Sequence, residues 1–320
     1  MASRLAIVAV LSTVIAAGSL TVAFALSKGE WPNFDNDGLG FGRQRCEAED
    51  DAPAATRLIP WDGDSVNISL TANTHYKRGS GDKLVVSGNP RILTHVFVND
   101  GEIELNCSRR GQAAPLEITL PGREFREISL NGRGRLVLDD LSQRDLELDV
   151  QGSGTIEANG SVERLDLEIA GSGQAKLNSL SVQRLDLTVA GSGSADVSPL
   201  DQADVDIQGS GRASVSTGQA TLGRLKIDIA GSGQIEASGK AGDIDLTIHG
   251  SGDARLSKLE AQRADISIHG SGDADIAPTE RAKISIMGSG DVRLAAEPKS
   301  IESNIQGSGR VLHEAPAPGR

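Results

Sequence analysis

Aromatic side chains are scarce in this 320-residue sequence, at 2%. Phe24, Trp31, Phe34, Phe41, Trp61, Tyr76, Phe97 and Phe125 all precede residue 126, and nothing aromatic of that kind follows. A chain so built has no wide core filled by large rings beyond that point, and no row of exposed rings on which a sugar could stack. Positive charge is also in deficit. The net charge of −12 excludes a nucleic-acid backbone as partner and favours solubility. Cysteine occurs only twice, which excludes a cysteine-dense metal or disulfide scaffold. No Gly-x-Ser-x-Gly elbow, Walker loop or His-Glu-x-x-His occurs, so the sequence assigns no catalytic residue and no cofactor.

A long apolar run occurs once. Met1-Ala2-Ser3-Arg4 is a short basic start, and Leu5 to Leu26 is apolar apart from a few Ser, Thr and Gly. Ala23-Phe24-Ala25 has the small-x-small form of a signal-peptidase site, with cleavage expected after Ala25. The alternative is an uncleaved anchor, because a run of this length also spans a bilayer. Either way the body of the protein is expected outside the cytoplasm, in the periplasm or at the cell surface, touching the membrane only through this segment. In such an oxidising compartment Cys46 and Cys107 read as one disulfide. Closing a loop of about 60 residues, it would contribute about 4 kcal/mol on the chain-entropy model.

What the sequence has in abundance is glycine, and it is periodic. Gly-Ser-Gly begins at Gly152, Gly171, Gly191, Gly209, Gly231, Gly250, Gly270, Gly288 and Gly307, and Gly132 opens a Gly-Arg-Gly variant. The steps between them are near-constant, with Gly191 to Gly209 among the shortest and Gly209 to Gly231 the longest. Self-similarity at such a period marks a solenoid, whose repeats bury their apolar faces only against neighbouring repeats. Before the glycines the chain alternates, as in Leu165-Asp166-Leu167-Glu168-Ile169 and Ile244-Asp245-Leu246-Thr247-Ile248. After them it alternates again with smaller residues, such as Ala175 and Leu177. Period-two patterning over Ile, Val and Leu specifies half-buried strands, and the spacing of a helix face is absent. Each unit reads as strand, Gly-Ser-Gly corner, strand, turn. The expected fold is all-β: a single-stranded parallel β-helix of about 19–20 residues per coil, right-handed by the general preference of parallel crossovers. Glycine suits a corner with positive φ or close coil-to-coil approach, and the middle Ser is expected to hydrogen-bond locally.

The chain therefore divides into a signal peptide or anchor over 1–25 and a flexible linker over 26–56. Irregular β coils forming a cap follow over 57–124, then regular repeats over 125–311 and a disordered proline-rich tail over 312–320. An irregular β-rich start, followed by Gly-Ser-Gly or Gly-Ser-Gly-Asp at this regular interval, resembles the head GIN domain family, whose members carry the label of auto-transporter adhesins. The resemblance covers about residues 57–311 and implies a β-helix with an adhesive role. No C-terminal set of membrane strands with aromatic girdles accompanies it, unlike a true autotransporter.

Two polar columns stand out. Five residues before each corner glycine come Glu127, Glu147, Asp166, Asp186, Asp204, Lys226, Asp245, Asp265, Lys283 and Glu302. Stacked like charges repel. The column reads as a solvated edge that deters aggregation, or as a cation column through Glu147, Asp166, Asp186 and Asp204 with Ca²⁺ as the ion. His249, His269 and Met287 precede three successive corners, and Asp253, Asp273 and Asp291 follow them. These are surface ladders, or a copper or zinc site with no closed ligand set. The sequence thus supports a non-catalytic exported β-solenoid of the cell envelope that binds or scaffolds an envelope or cell-surface ligand. A self-associating structural filament and a polysaccharide-active β-helix enzyme are the alternatives.

Overall fold

The computed structural model describes the backbone of residues 45–46 and 108–109, and residues 53–107 and 115–313 in full. The apolar N-terminal segment with its expected cleavage after Ala25, most of the linker, and the tail beyond His313 lie outside the described residues.

The alternating segments fold as expected, into stacked parallel coils of a β-solenoid with about nine turns. Eight long strands make up the repeats, and each runs from just past one Gly-x-Gly corner to the first glycine of the next. Arg135–Gly152, Thr155–Gly171 and Gln174–Gly191 show the rule, each pairing in parallel with the next. The burial alternation of Gln174–Gly191 is interrupted at Asn178-Ser179 and at Gln183-Arg184, where two successive side chains turn outward. With the glycine corner these breaks make three bends and three short faces per coil. Face 1 carries Leu185, Leu187 and Val189 inward, face 2 Ala175 and Leu177, and face 3 Leu180 and Val182. The third face was not legible as a strand because its length and spacing change from coil to coil, so no constant period marks it.

The inward residues form continuous columns of Leu, Ile, Val and Ala. Leu148, Leu167, Leu187, Val205, Ile227, Leu246, Ile266 and Ile284 follow one another in register, each at most 2% exposed. Face 1, the glycine corner and the start of face 2 keep strict register across all these coils. Differences in coil length fall on face 3, where register shifts occur between Val197 and Gln202 and between Ser216 and Thr221.

The two glycines of a corner do different work. Gly171 has φ +116°, and a Cβ there would come within 2.7 Å of the Gly152 carbonyl oxygen on the coil before. Gly173 is not in that backbone region, but a Cβ on it would meet Val150 Cγ1 at 2.4 Å. The serine between them acts through its backbone: Ser172 N–H donates to Gly152 O at 2.7 Å, and Ser192 N–H to Gly171 O at 2.8 Å. The expected local bond from its hydroxyl is not made; among the described residues none of the corner serines from Ser153 to Ser308 uses its side chain this way.

The first coil is built from Ser65–Ile68 and Ala72–Lys77, in register with Glu127–Leu130 and Arg135–Asp139. Its outer edges are covered. Glu102–Leu105 pairs with the former and Leu116–Thr119 with the latter. From there the pairing turns antiparallel, through Val96–Asn99 on one side and through Lys83–Gly88 and Ala55–Pro60 on the other. Asp100 and Gly101, with φ +46° and +85°, make the tight hairpin between Asn99 and Glu102. Trp61, Tyr76 and Phe125 meet edge to face here, with ring centroids 6.3 and 5.9 Å apart. The rings thus gather where the narrow coil gives way to the cap.

Candidate binding face

Alternation on face 1 aims every second side chain at solvent, and register stacks those side chains coil upon coil. The expected column is present: Glu127, Glu147, Asp166, Asp186 and Asp204 align residue for residue. The structure adds a second column two residues on, with Ser129, Asp149, Glu168, Thr188, Asp206 and Asp228 in line. The two together make a flat acidic face across five or six coils, with neighbouring coils about 4.8 Å apart. The second column could have been found in sequence three residues before each corner glycine, but Ser129 and Thr188 interrupt it there.

The carboxylates feel one another. Glu147 is raised above the ordinary carboxylate range by partial burial, then by Asp149, Glu127, Asp166 and Glu168. Asp149 is raised by burial and by Asp166, against a lowering hydrogen bond from the Ser129 hydroxyl at 3.1 Å. Asp186 is raised by burial, then by Asp166, Asp204 and Asp206, with Lys226 opposing. Lys226 ends the run: its ammonium donates to Asp228 at 2.6 Å and is itself raised by that bond.

A basic column borders this face, and the sequence alone did not mark it. Seven residues before the corner glycine, Arg164, Arg184, Arg224, Arg263 and Arg281 stand in register, interrupted by Gln202 and Asp243. Several are neutralised across coils, Arg164 by Asp145 at 3.3 Å, Arg224 by Asp245 at 3.0 Å, and Arg263 by Asp243. At the capped end the two columns open on a groove of about 700 Å³, where Glu147 and Asp166 face Arg126, Arg144 and Arg164.

The remaining candidates have structural partners. The His249 and His269 rings stack with centroids 4.9 Å apart, and Met287 follows in register, half-exposed. Asp273 and Asp275 pair with Arg293, and Asp273 Oδ1 accepts the backbone N–H of Asp291 at 2.8 Å. Asp291 accepts from the Arg310 guanidinium at 2.7 Å, which holds it below the ordinary carboxylate range. Asp273 and Asp291 thus tie the last coils together, with Asp253 in register one coil before them. Among the described residues, no three His, Cys, Asp or Glu side chains are grouped to hold a metal ion. Cys107 is buried and disulfide-bonded. The side chain of Cys46 lies outside the described residues; its backbone pairs in parallel with the strand that follows Cys107.

The fold and this face define a class: a β-solenoid that displays ordered side-chain columns. The family model described as "Putative auto-transporter adhesin, head GIN domain" matches residues 64–223 and 216–298, and the chain belongs to that family. Among solved structures it is similar to a putative adhesin from Parabacteroides merdae, at TM-score 0.51 and 14% identity over 83% of this chain and 98% of that one. It is also similar to a putative lipid binding protein from Parabacteroides distasonis, at TM-score 0.48 and 22% identity over 83% and 98%. No curated protein matches.

Proposed function

We propose that this chain is a non-catalytic, exported binding protein of the cell envelope, whose acidic face holds a cationic partner by many weak contacts. The family description and the adhesin-like fold support an exported, adhesin-like role. The observation that carries the reading further is the double carboxylate column, whose members Glu147, Asp149 and Asp186 are held in a less stable charged state than in water. Burial is the larger cause of that state, and the like-charge repulsion that comes after it is what positive charge would relieve. Spacing of about 4.8 Å over a rigid rod makes the contacts additive, so a partner with repeated cations gains by multivalency. A disulfide between Cys46 and Cys107 belongs to the same proposal and suits an oxidising compartment.

Titrating the full chain with oligo-lysine of increasing length tests this. Affinity should climb with length, fall with salt, and drop at least tenfold in the double variant Asp166→Asn, Asp186→Asn. Equal binding by that variant, or no binding by the parent, would reduce the face to a solubility device. Ca²⁺ against a chelator at matched ionic strength should leave the melting temperature unmoved, because the columns lack a closed cage. A specific rise would replace the polycation by the cation column. Turnover of an envelope polysaccharide by the same protein would overturn the non-catalytic reading.

A further inference from the structure

The two ends of the solenoid are finished differently. At the first coil, both free strand edges are covered and the pairing then turns antiparallel under the Trp61–Tyr76–Phe125 cluster. At the last coil nothing comparable is present among the described residues. Ser300–Gly307 pairs only with the Asp273–Gly288 strand, and Arg310–His313 only with Asp291–Leu294. All eight residues of Ser300–Gly307 are exposed. Ile301 and Ile305 continue the inward columns of Ala282 and Ile286, which are fully buried, yet each is 40% exposed. Between them Ser303 occupies the inward position that Ile284 holds one coil earlier. Among the described residues the core therefore ends on a bare edge with unpaired backbone groups, the kind of edge that recruits another strand.

We infer that this edge is the contact between two copies of the chain, joined last coil to last coil about a two-fold axis through Ser303. The sequence of the edge is self-complementary in that register. Antiparallel pairing centred on Ser303 sets Ile301 opposite Ile305 of the copy, twice, and Glu302 opposite Asn304, so that no carboxylate faces its own image. The two-fold keeps the inward side inward, so both exposed isoleucines meet the other molecule's core end. An isologous contact of this kind closes after two copies. The outermost strands of the capped end, Ala55–Pro60 and Val96–Asn99, are each paired on one side only among the described residues, but both belong to antiparallel pairs that leave the coil register, so neither offers the last coil a continuation of its inward columns.

Sedimentation of the full chain over a hundredfold concentration range is the test. One species of twice 33.3 kDa, with nothing larger, is expected. Ile301→Lys and Ile305→Lys should each return the monomer without unfolding it, since these residues lie at the rim of the core. Ser303→Cys should form a disulfide-linked dimer on mild oxidation, because only this residue meets itself across the axis; Ser285→Cys, one coil further in, should not. A monomer at every concentration with no Ser303→Cys cross-link would overturn the inference, as would species that keep growing. So would a chain shortened to end at His313 that dimerises where the full chain does not, since residues 314–320 would then be the cover.

Discussion

At the scale of single residues, the corner glycines separate two physical demands that look alike in sequence. Gly171 is required by its backbone, with φ +116° and the preceding coil's carbonyl close by; Gly173 is required by the volume of Val150. Gly171→Ala should therefore destabilise by about 1–3 kcal/mol from backbone strain alone, before the clash is counted. Ser172→Ala should stay within about 0.5 kcal/mol, because the serine contributes only its backbone N–H. Midpoints of denaturant unfolding compare the two. If the serine proved the more sensitive, the hydroxyl would have a role that the geometry does not supply. The glycine ladder was plain in sequence, since a positive-φ corner admits little else. Which glycine answers to which constraint was not, because that depends on atoms contributed by the coil before.

At the scale of the element, register is rigid on face 1 and loose on face 3. Face 1 pairs residue for residue from Glu127 to Gly307. The extra length of the step from Gly209 to Gly231 is absorbed instead around Thr217 and Gly218. Gly218 has φ +58° and open space around its would-be Cβ. Two residues inserted after Gly218 should leave the melting temperature nearly unchanged. One residue inserted after Leu167 should unfold the surrounding coils, because a single-residue slip sends Ile169 to solvent and Glu168 into the core. Circular dichroism melts of the two variants decide it, and equal tolerance would contradict the register described. The unequal spacing was legible in the sequence; the face that absorbs it was not, since face 3 keeps no constant offset from the corner glycines.

At the scale of the whole molecule, charge sets how stability responds to pH. Glu147, Asp149 and Asp186 have folded pKa values above their unfolded ones, so the folded state binds more protons there and gains stability as pH falls through that window. Glu157, Asp243 and Asp291 are lowered by hydrogen bonds from Arg135, Arg263 and Arg310, and their contribution is lost only as pH falls through their depressed values. The melting temperature should rise as pH falls toward the unfolded carboxylate values of about pH 4, then fall below them. Asp149→Asn with Asp186→Asn should flatten the rise and leave the acid limb in place. A melting temperature that only falls on acidification would mean that the acidic face costs the fold nothing.

The alternation of Ile, Leu and Val with polar residues, broken by glycine at a near-constant interval, was enough to specify the coil, its period and the outward acidic column. Those features are local: a strand's two faces and a corner's backbone are written in consecutive residues. The column of arginines, the way the first coil is covered and the bare edge of the last described coil came only with the tertiary structure. Each depends on which residues, one coil apart, come to lie side by side. That stacking is fixed by the summed burial of the inward columns, and no single repeat carries it alone.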